Sequence, residues 1–180
     1  LLQRYYVGTH THWDGATVFW QVDELNRIRT GKIMLYNGAG RRVKEPYNHV
    51  HWVHVAAELE GYNLQQCLFG QHLLRGNTKT VYVVESEKTA LIAAAYMPQF
   101  LWVATGGVGS LTVEKLKPLD GNNIVLMPDL GAVEKWQAVA QQHGNCMVST
   151  RMAEYAAGED FHRGLDIADY LLWHIRHLTG

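Results

Sequence analysis

Cysteine is scarce in this chain. Cys67 and Cys146 are its two cysteines, and their spacing forms neither a disulfide framework nor a zinc motif. They are expected to be small buried hydrophobes in a reducing compartment. Long apolar runs are also missing, and none approaches membrane-spanning length. Neither sign of charge is in excess: 16 Lys and Arg stand against 17 Asp and Glu, a net of −1. That balance excludes a strongly basic nucleic-acid coat, but not a local basic patch. There is no internal repeat, low-complexity stretch or signal-peptide pattern. The chain starts Leu-Leu-Gln-Arg without Met, which reads as an excised piece of a longer, cytoplasmic protein.

What is present describes a folded chain. At 180 residues, 47% apolar and 18% charged, it can bury a core without disulfides or a structural metal. Ten histidines and six tryptophans stand out. Residues 1–78 carry short alternating segments. Residues 18–22 and 28–36 pattern as strands around a turn at Asn26-Arg27, with a second turn at 37–40. Residues 49–55 form a further short apolar segment, and residues 64–69 have helical spacing. From residue 79 the rhythm changes. Apolar runs at 81–84, 100–104 and 124–127, with a weaker one at 146–149, alternate with helix-like segments at 87–96, 113–117, 133–142 and 165–178. Leu172, Trp173, Ile175 and Leu178 give the last helix its packing face, and Trp20, Trp52 and Trp102 read as core. Strand and helix in alternation predict an α/β domain, a parallel sheet flanked by helices.

In such a sheet, function collects where the strands end. Glu85 follows the first strand, the glycine-rich turn 105–110 the second, and Asp129 the third. Two carboxylates on one sheet edge suit Mg²⁺, which takes one or two carboxylates plus waters and phosphate oxygens. Such an ion polarises phosphoryl oxygens. On residue type alone, solvated helix N-cap acids are the simpler reading. The turn holds Gly107-x-Gly109, but Thr112 stands where a dinucleotide fingerprint needs its third glycine.

Residues 83–91, Val-Val-Glu-Ser-Glu-Lys-Thr-Ala-Leu, resemble the first motif of Toprim domains, the metal-binding fold shared by primases, topoisomerases and related nucleases. Residues 104–107, 125–132 and 164–171 resemble the later Toprim motifs in the right order. Upstream, residues 19–23, 29–36 and 67–70 look like the segment preceding Toprim in primase-like proteins of bacterial mobile elements. The resemblance implies a small α+β subdomain over residues 1–78 and a Rossmann-like Toprim domain over 79–180. It implies Glu85 as the catalytic or metal-positioning carboxylate and Asp129 as a ligand of Mg²⁺ or Mn²⁺. Two departures reduce the site's charge: Gly131 replaces the second Asp of the Asp-x-Asp pair, and Thr89 stands where an acid often follows the first Glu. Asp166 and Asp169 could supply the missing carboxylates, although acids are also common in a helix's first turn.

The basic residues gather in the first part: Arg27, Arg29, Lys32, Arg41, Arg42 and Lys44. Residues 1–78 carry a net of +2 and residues 79–180 a net of −3. With exposed aromatics, such a patch suits single-stranded nucleic acid. Arg29 and Lys32 lie in the best-matching upstream segment, and Lys88 lies within the first motif; all three are candidate nucleic-acid contacts. The expected partners are single-stranded DNA or RNA and nucleotides, with replication or mobilisation proteins beyond them and no membrane.

Residues 9–15, Thr-His-Thr-His-Trp-Asp-Gly, mimic a His-x-His-x-Asp-His hydrolase signature, with His49, His51 and His54 as further ligand candidates. Gly15 replaces the closing His, and the segment stands at the start of the chain without preceding strands. Three functions follow in order. The first is primase-like phosphoryl transfer, as a nucleotidyltransferase or phosphodiesterase. The second is a non-catalytic nucleic-acid or nucleotide-binding module with a degenerate acidic site. The third is a His-metal hydrolase.

Overall fold

The computed structural model describes residues 1–107 and 109–178, which fall into two compact units, Leu1–His72 and Leu73–Gly180. The first unit is built on an antiparallel sheet in the order β1-β2-β3-β4, of strands Val7–His10, Ala16–Val22, Ile28–Met34 and Val50–Trp52. Alternation along β2 and β3 splits their side chains between two apolar faces. On one face Ala16, Val18 and Ile33 are buried against Trp13, Trp20, Leu35, Val53 and Ala56. In a separate ring cluster, Phe19 meets Phe69 edge-on, with ring centroids 5.6 Å apart, and Phe69 meets Tyr5 at 5.5 Å. A short helix, α1 (Val53–Ala56), follows β4 directly.

The segment 64–69 is not the helix its spacing predicts. It runs without regular structure into a 3₁₀ turn at Gln71–Leu74. Its apolar residues Cys67, Leu68 and Phe69 are buried, and the Leu68 N–H donates to Gln71 Oε1 at 3.0 Å. Tertiary packing of Phe69 and this side-chain bond replace the local helix.

The second unit carries a parallel sheet in the order β6-β5-β7-β8, from Val81–Val84 (β5), Leu101–Ala104 (β6), Ile124–Leu126 (β7) and Met147–Val148 (β8). Its helices are α2 (Glu87–Tyr96), α3 (Val113–Leu116), α4 (Val133–His143), α5 (Arg151–Tyr155), α6 (Gly158–Arg163) and α7 (Ile167–Leu178). β5, β6 and β7 are buried almost throughout, as strands covered by helices on both faces must be. The mixed α/β class with a helix-flanked parallel sheet is therefore as the apolar runs predict. Two helices between 151 and 163 and the first strand, β1, carry no pattern in the sequence strong enough to mark them. Trp102 is fully buried, whereas Trp20 and Trp52 are half-buried. Trp173 departs from its expected packing role: it is 56% exposed and lies over His177, ring centroids 4.2 Å apart. The side chains of Ile175 and Leu178 lie outside the described residues.

Candidate functional site

Parallel pairing of β5 with β7 aligns Val83 with Leu126, so the residues just beyond both strands share one edge of the sheet. Those residues are Glu85 and Asp129. The helix that follows β5 is capped by Ser86, whose hydroxyl accepts from the Thr89 N–H at 3.4 Å. Glu85 is thus not the solvated cap acid that residue type alone favours; it is 3% exposed. Its Oε2 is buried without a hydrogen-bond partner. Burial pushes its carboxyl above the ordinary value; the backbone N–H of Asp129 and the Lys135 ammonium pull it back, and Asp166 adds to the rise. Asp129 is raised further, to about 8, first by burial and then by the charges of Glu85, Asp166 and Asp169. The four acids expected in the site therefore feel one another.

The last two reach the site through backbone and caps. The Leu130 N–H donates to the Leu165 carbonyl at 3.0 Å, drawing the start of α7 to the end of β7. Asp166 caps α7: its Oδ1 accepts from the Asp169 N–H at 3.0 Å, and Asp169 Oδ2 accepts from the Asp166 N–H at 3.1 Å. This is a reciprocal capping arrangement built from two aspartates. The second Asp166 oxygen accepts from the Thr89 hydroxyl. Thr89, an apparent loss of an acid in the sequence, is the residue that holds Asp166 in place.

Gly131, the other apparent loss, has φ of +92°. L side chains rarely adopt that conformation, so the backbone here favours glycine over a second aspartate.

Among the described residues no three His, Cys, Asp or Glu side chains are grouped to hold one metal ion. This holds for the acidic edge and for the histidines of residues 10–54. The acidic edge still fits a hard cation. A buried oxygen of Glu85 lacks a partner and Asp129 is strongly destabilised as an anion. Two carboxylates completed by water or phosphate are a Mg²⁺ arrangement, not an all-protein cage.

Lys135 escapes sequence reasoning. It lies in the first turns of α4, is exposed, and its Nζ stands 2.9 Å from where a Cβ on Gly109 would be. The ammonium thus borders both the glycine-rich turn and Glu85. Its place shortly after Asp129, in the helix leaving the same sheet edge, is the signal that could have found it. Lys115 Nζ donates to the Thr105 carbonyl at 3.1 Å behind the same turn.

The cations expected to touch nucleic acid are placed differently from one another. Arg29 Nε bonds Asp23 Oδ2 at 2.8 Å, and its NH1 bonds Gln65 Oε1 at 3.0 Å, leaving 22% of the side chain exposed. Lys32 is buried in β3, paired in register with Phe19 and Trp52. Lys88 is half-buried in the first turn of α2. Arg41, Arg42 and Lys44 are exposed. No helix among the described residues is long and apolar enough to cross a membrane.

The fold is similar to that of solved primase catalytic cores. The primase fragment of the bacteriophage T7 primase-helicase protein is 19% identical, with a TM-score of 0.54, covering 82% of this chain and 58% of that one. A DnaG catalytic core is 13% identical with a TM-score of 0.56, covering 90% and 66%. A DnaG primase catalytic domain bound to single-stranded DNA is 16% identical with a TM-score of 0.51, covering 78% and 45%. The chain thus spans little more than half of the T7 fragment. No curated protein matches the sequence. A family model does match, over residues 1–130 and hence most of the chain, and by that match the protein belongs to the DUF6371 family, a domain of unknown function.

Proposed function

We propose that this chain is the catalytic part of a primase-like, Toprim-type nucleic-acid enzyme. The carboxylate pair of buried Glu85 and half-buried Asp129, set where β5 and β7 end, carries the reading. The pair would hold Mg²⁺ or Mn²⁺, which when bound supplies Lewis-acid polarisation of a phosphoryl oxygen and neutralises charge. The chain's own residues do the rest. Glu85, with its carboxyl raised by burial, can hold or pass a proton to a reacting group. Asp129 turns its N–H toward Glu85 and fixes that carboxylate. Lys135 is placed to meet a phosphate approaching over the glycine-rich turn. Arg29 keeps guanidinium surface for a strand of single-stranded DNA or RNA, and Lys88 lies in the first turn of the helix that follows Glu85.

A second reading, a binding module without turnover, is favoured by one observation. Both oxygens of Asp166 are engaged in the cap of α7 and with Thr89, so Asp166 does not restore a missing ligand. The experiment that separates the two is incorporation of a labelled nucleotide on a single-stranded template with Mg²⁺. Incorporation abolished by Glu85→Gln supports catalysis. Nucleotide binding with no incorporation in either form sinks it.

A further inference from the structure

The histidine-rich segments that play no part in the acidic edge form one continuous array of rings in the first unit. Trp13 is its centre. It packs on the Ala16, Val18 and Ile33 core, which fixes its position. Its ring stands edge-on to His49, with centroids 5.0 Å apart, and to His51 at 6.4 Å. Each of those histidines is one half of a stacked pair. Tyr47 lies on His49 at 4.4 Å and 16°, and His12 lies on His51 at 4.3 Å and 8°. Tyr47 and His12 are solvent-facing, Tyr47 at 56% exposure. The His12 N–H donates to His10 Nδ1 at 3.0 Å, which ties the loop bearing His12 back to β1.

Cations border this array. The His49 N–H donates to the Val43 carbonyl at 3.2 Å, so Arg42 and Lys44 flank the residue bonded to the ring segment. Arg41, Arg42 and Lys44 are all exposed. The acids of the same two segments are Asp14 and Glu45, fewer than the cations even before any histidine is protonated. Rings that could have been buried are instead stacked, anchored from below and open above, beside a basic loop. Exposed aromatic faces with neighbouring Lys and Arg are what unpaired bases and their phosphates recognise. A preformed array also lowers the ordering cost of binding.

We propose that the Tyr47, His49, Trp13, His51 and His12 rings, with Arg42 and Lys44, form a binding surface for single-stranded nucleic acid. Bases stack on Tyr47 and His12, and phosphates pair with the cations. The proposal rests on the reading of this chain as a nucleic-acid protein, but not on its acidic edge.

The test is fluorescence anisotropy of labelled oligo(dT), and of oligo(U) in parallel, with the full chain and no divalent cation. Tyr47→Ala combined with His12→Ala should weaken binding by about tenfold or more while leaving its salt dependence intact. Arg42→Ser combined with Lys44→Ser should flatten the salt dependence. Tyr47→Trp should bind at least as well as the parent. Thermal melts establish that each variant is folded, and Tyr47→Ala alone serves if the double variant is not. A parent that binds oligonucleotide while the folded ring variants bind equally well overturns this surface and leaves the reading of the acidic edge standing. A parent that binds neither oligonucleotide at low salt overturns the surface as well, while nucleotide incorporation separately decides the enzyme reading.

Discussion

The hydroxyl of Thr89 donates a hydrogen bond to the carboxylate of Asp166, 77 positions along the chain. It joins the first turn of α2 to the cap of α7 and brings a third acid into the field of Glu85 and Asp129. Thr89 is fully buried and Asp166 half-buried, so loss of the hydroxyl takes one donor from the Asp166 carboxylate. Thr89→Val should lower stability by about 1–3 kcal/mol, and Thr89→Ser should retain most of it. Urea denaturation of the two variants checks this.

Gly131 sits where a second metal-binding aspartate would complete an Asp-x-Asp pair, at φ of +92°. Gly131→Asp has open space around it but the wrong backbone. It should cost about 1 kcal/mol or more in stability. The same variant should not bind Mn²⁺ more tightly than the parent, as a titration of each would record.

The acidic edge fixes a pH dependence. Asp129 is raised from an ordinary carboxylate value to about 8. Between roughly pH 4 and pH 8 the folded state therefore keeps a proton that the unfolded state has lost. Stability should fall as pH rises through that window when no divalent cation is present. Glu85, raised in the same direction, adds to the slope. Asp129→Asn should flatten the slope and raise the melting temperature at pH 8. A melting temperature that climbs from pH 5 to pH 8 in the parent would contradict the assignment.

Asp23 works in the opposite direction. Burial alone would raise its carboxyl. The N–H of Arg27, the Arg27 and Arg29 side chains and the N–H of Leu25 outweigh that and hold it below the ordinary value. Its two closest contacts are Arg27 Nε at 2.7 Å and Arg29 Nε at 2.8 Å. Its contribution is present above the ordinary carboxylate value and lost as pH falls through the depressed one. Asp23→Asn should therefore cost about 2 kcal/mol at neutral pH and progressively less in acid. Denaturation midpoints at pH 7 and pH 3 give the comparison.

Much of the second unit could be read from residues alone, because buried parallel strands such as Val81–Val84 announce themselves as continuous apolar runs. Glu85 and Asp129 were legible as a pair for the same reason: both follow such runs. Lys135 was not, since a single lysine in a helix has no signature until the strands are ordered in space. Residues 64–69 misled because helical spacing in a short segment is weaker than the packing of Phe69 on Tyr5 and Phe19. Lys32 read as a surface cation because alternation assigns faces but does not say that both faces of β3 are covered. The ten histidines suggested a metal by composition; of these, His12 and His51 stack on each other, His49 stacks on Tyr47, and Trp13 meets His49 edge-on.

Mn²⁺ binding, followed by the electron paramagnetic resonance signal of the free ion, tests the carboxylate pair most directly. The parent chain should take up Mn²⁺, Mg²⁺ should compete for the same site, and Glu85→Gln and Asp129→Asn should each abolish the uptake. Uptake that survives both substitutions, or a parent chain that leaves all the Mn²⁺ free, would contradict the cation site at the ends of β5 and β7.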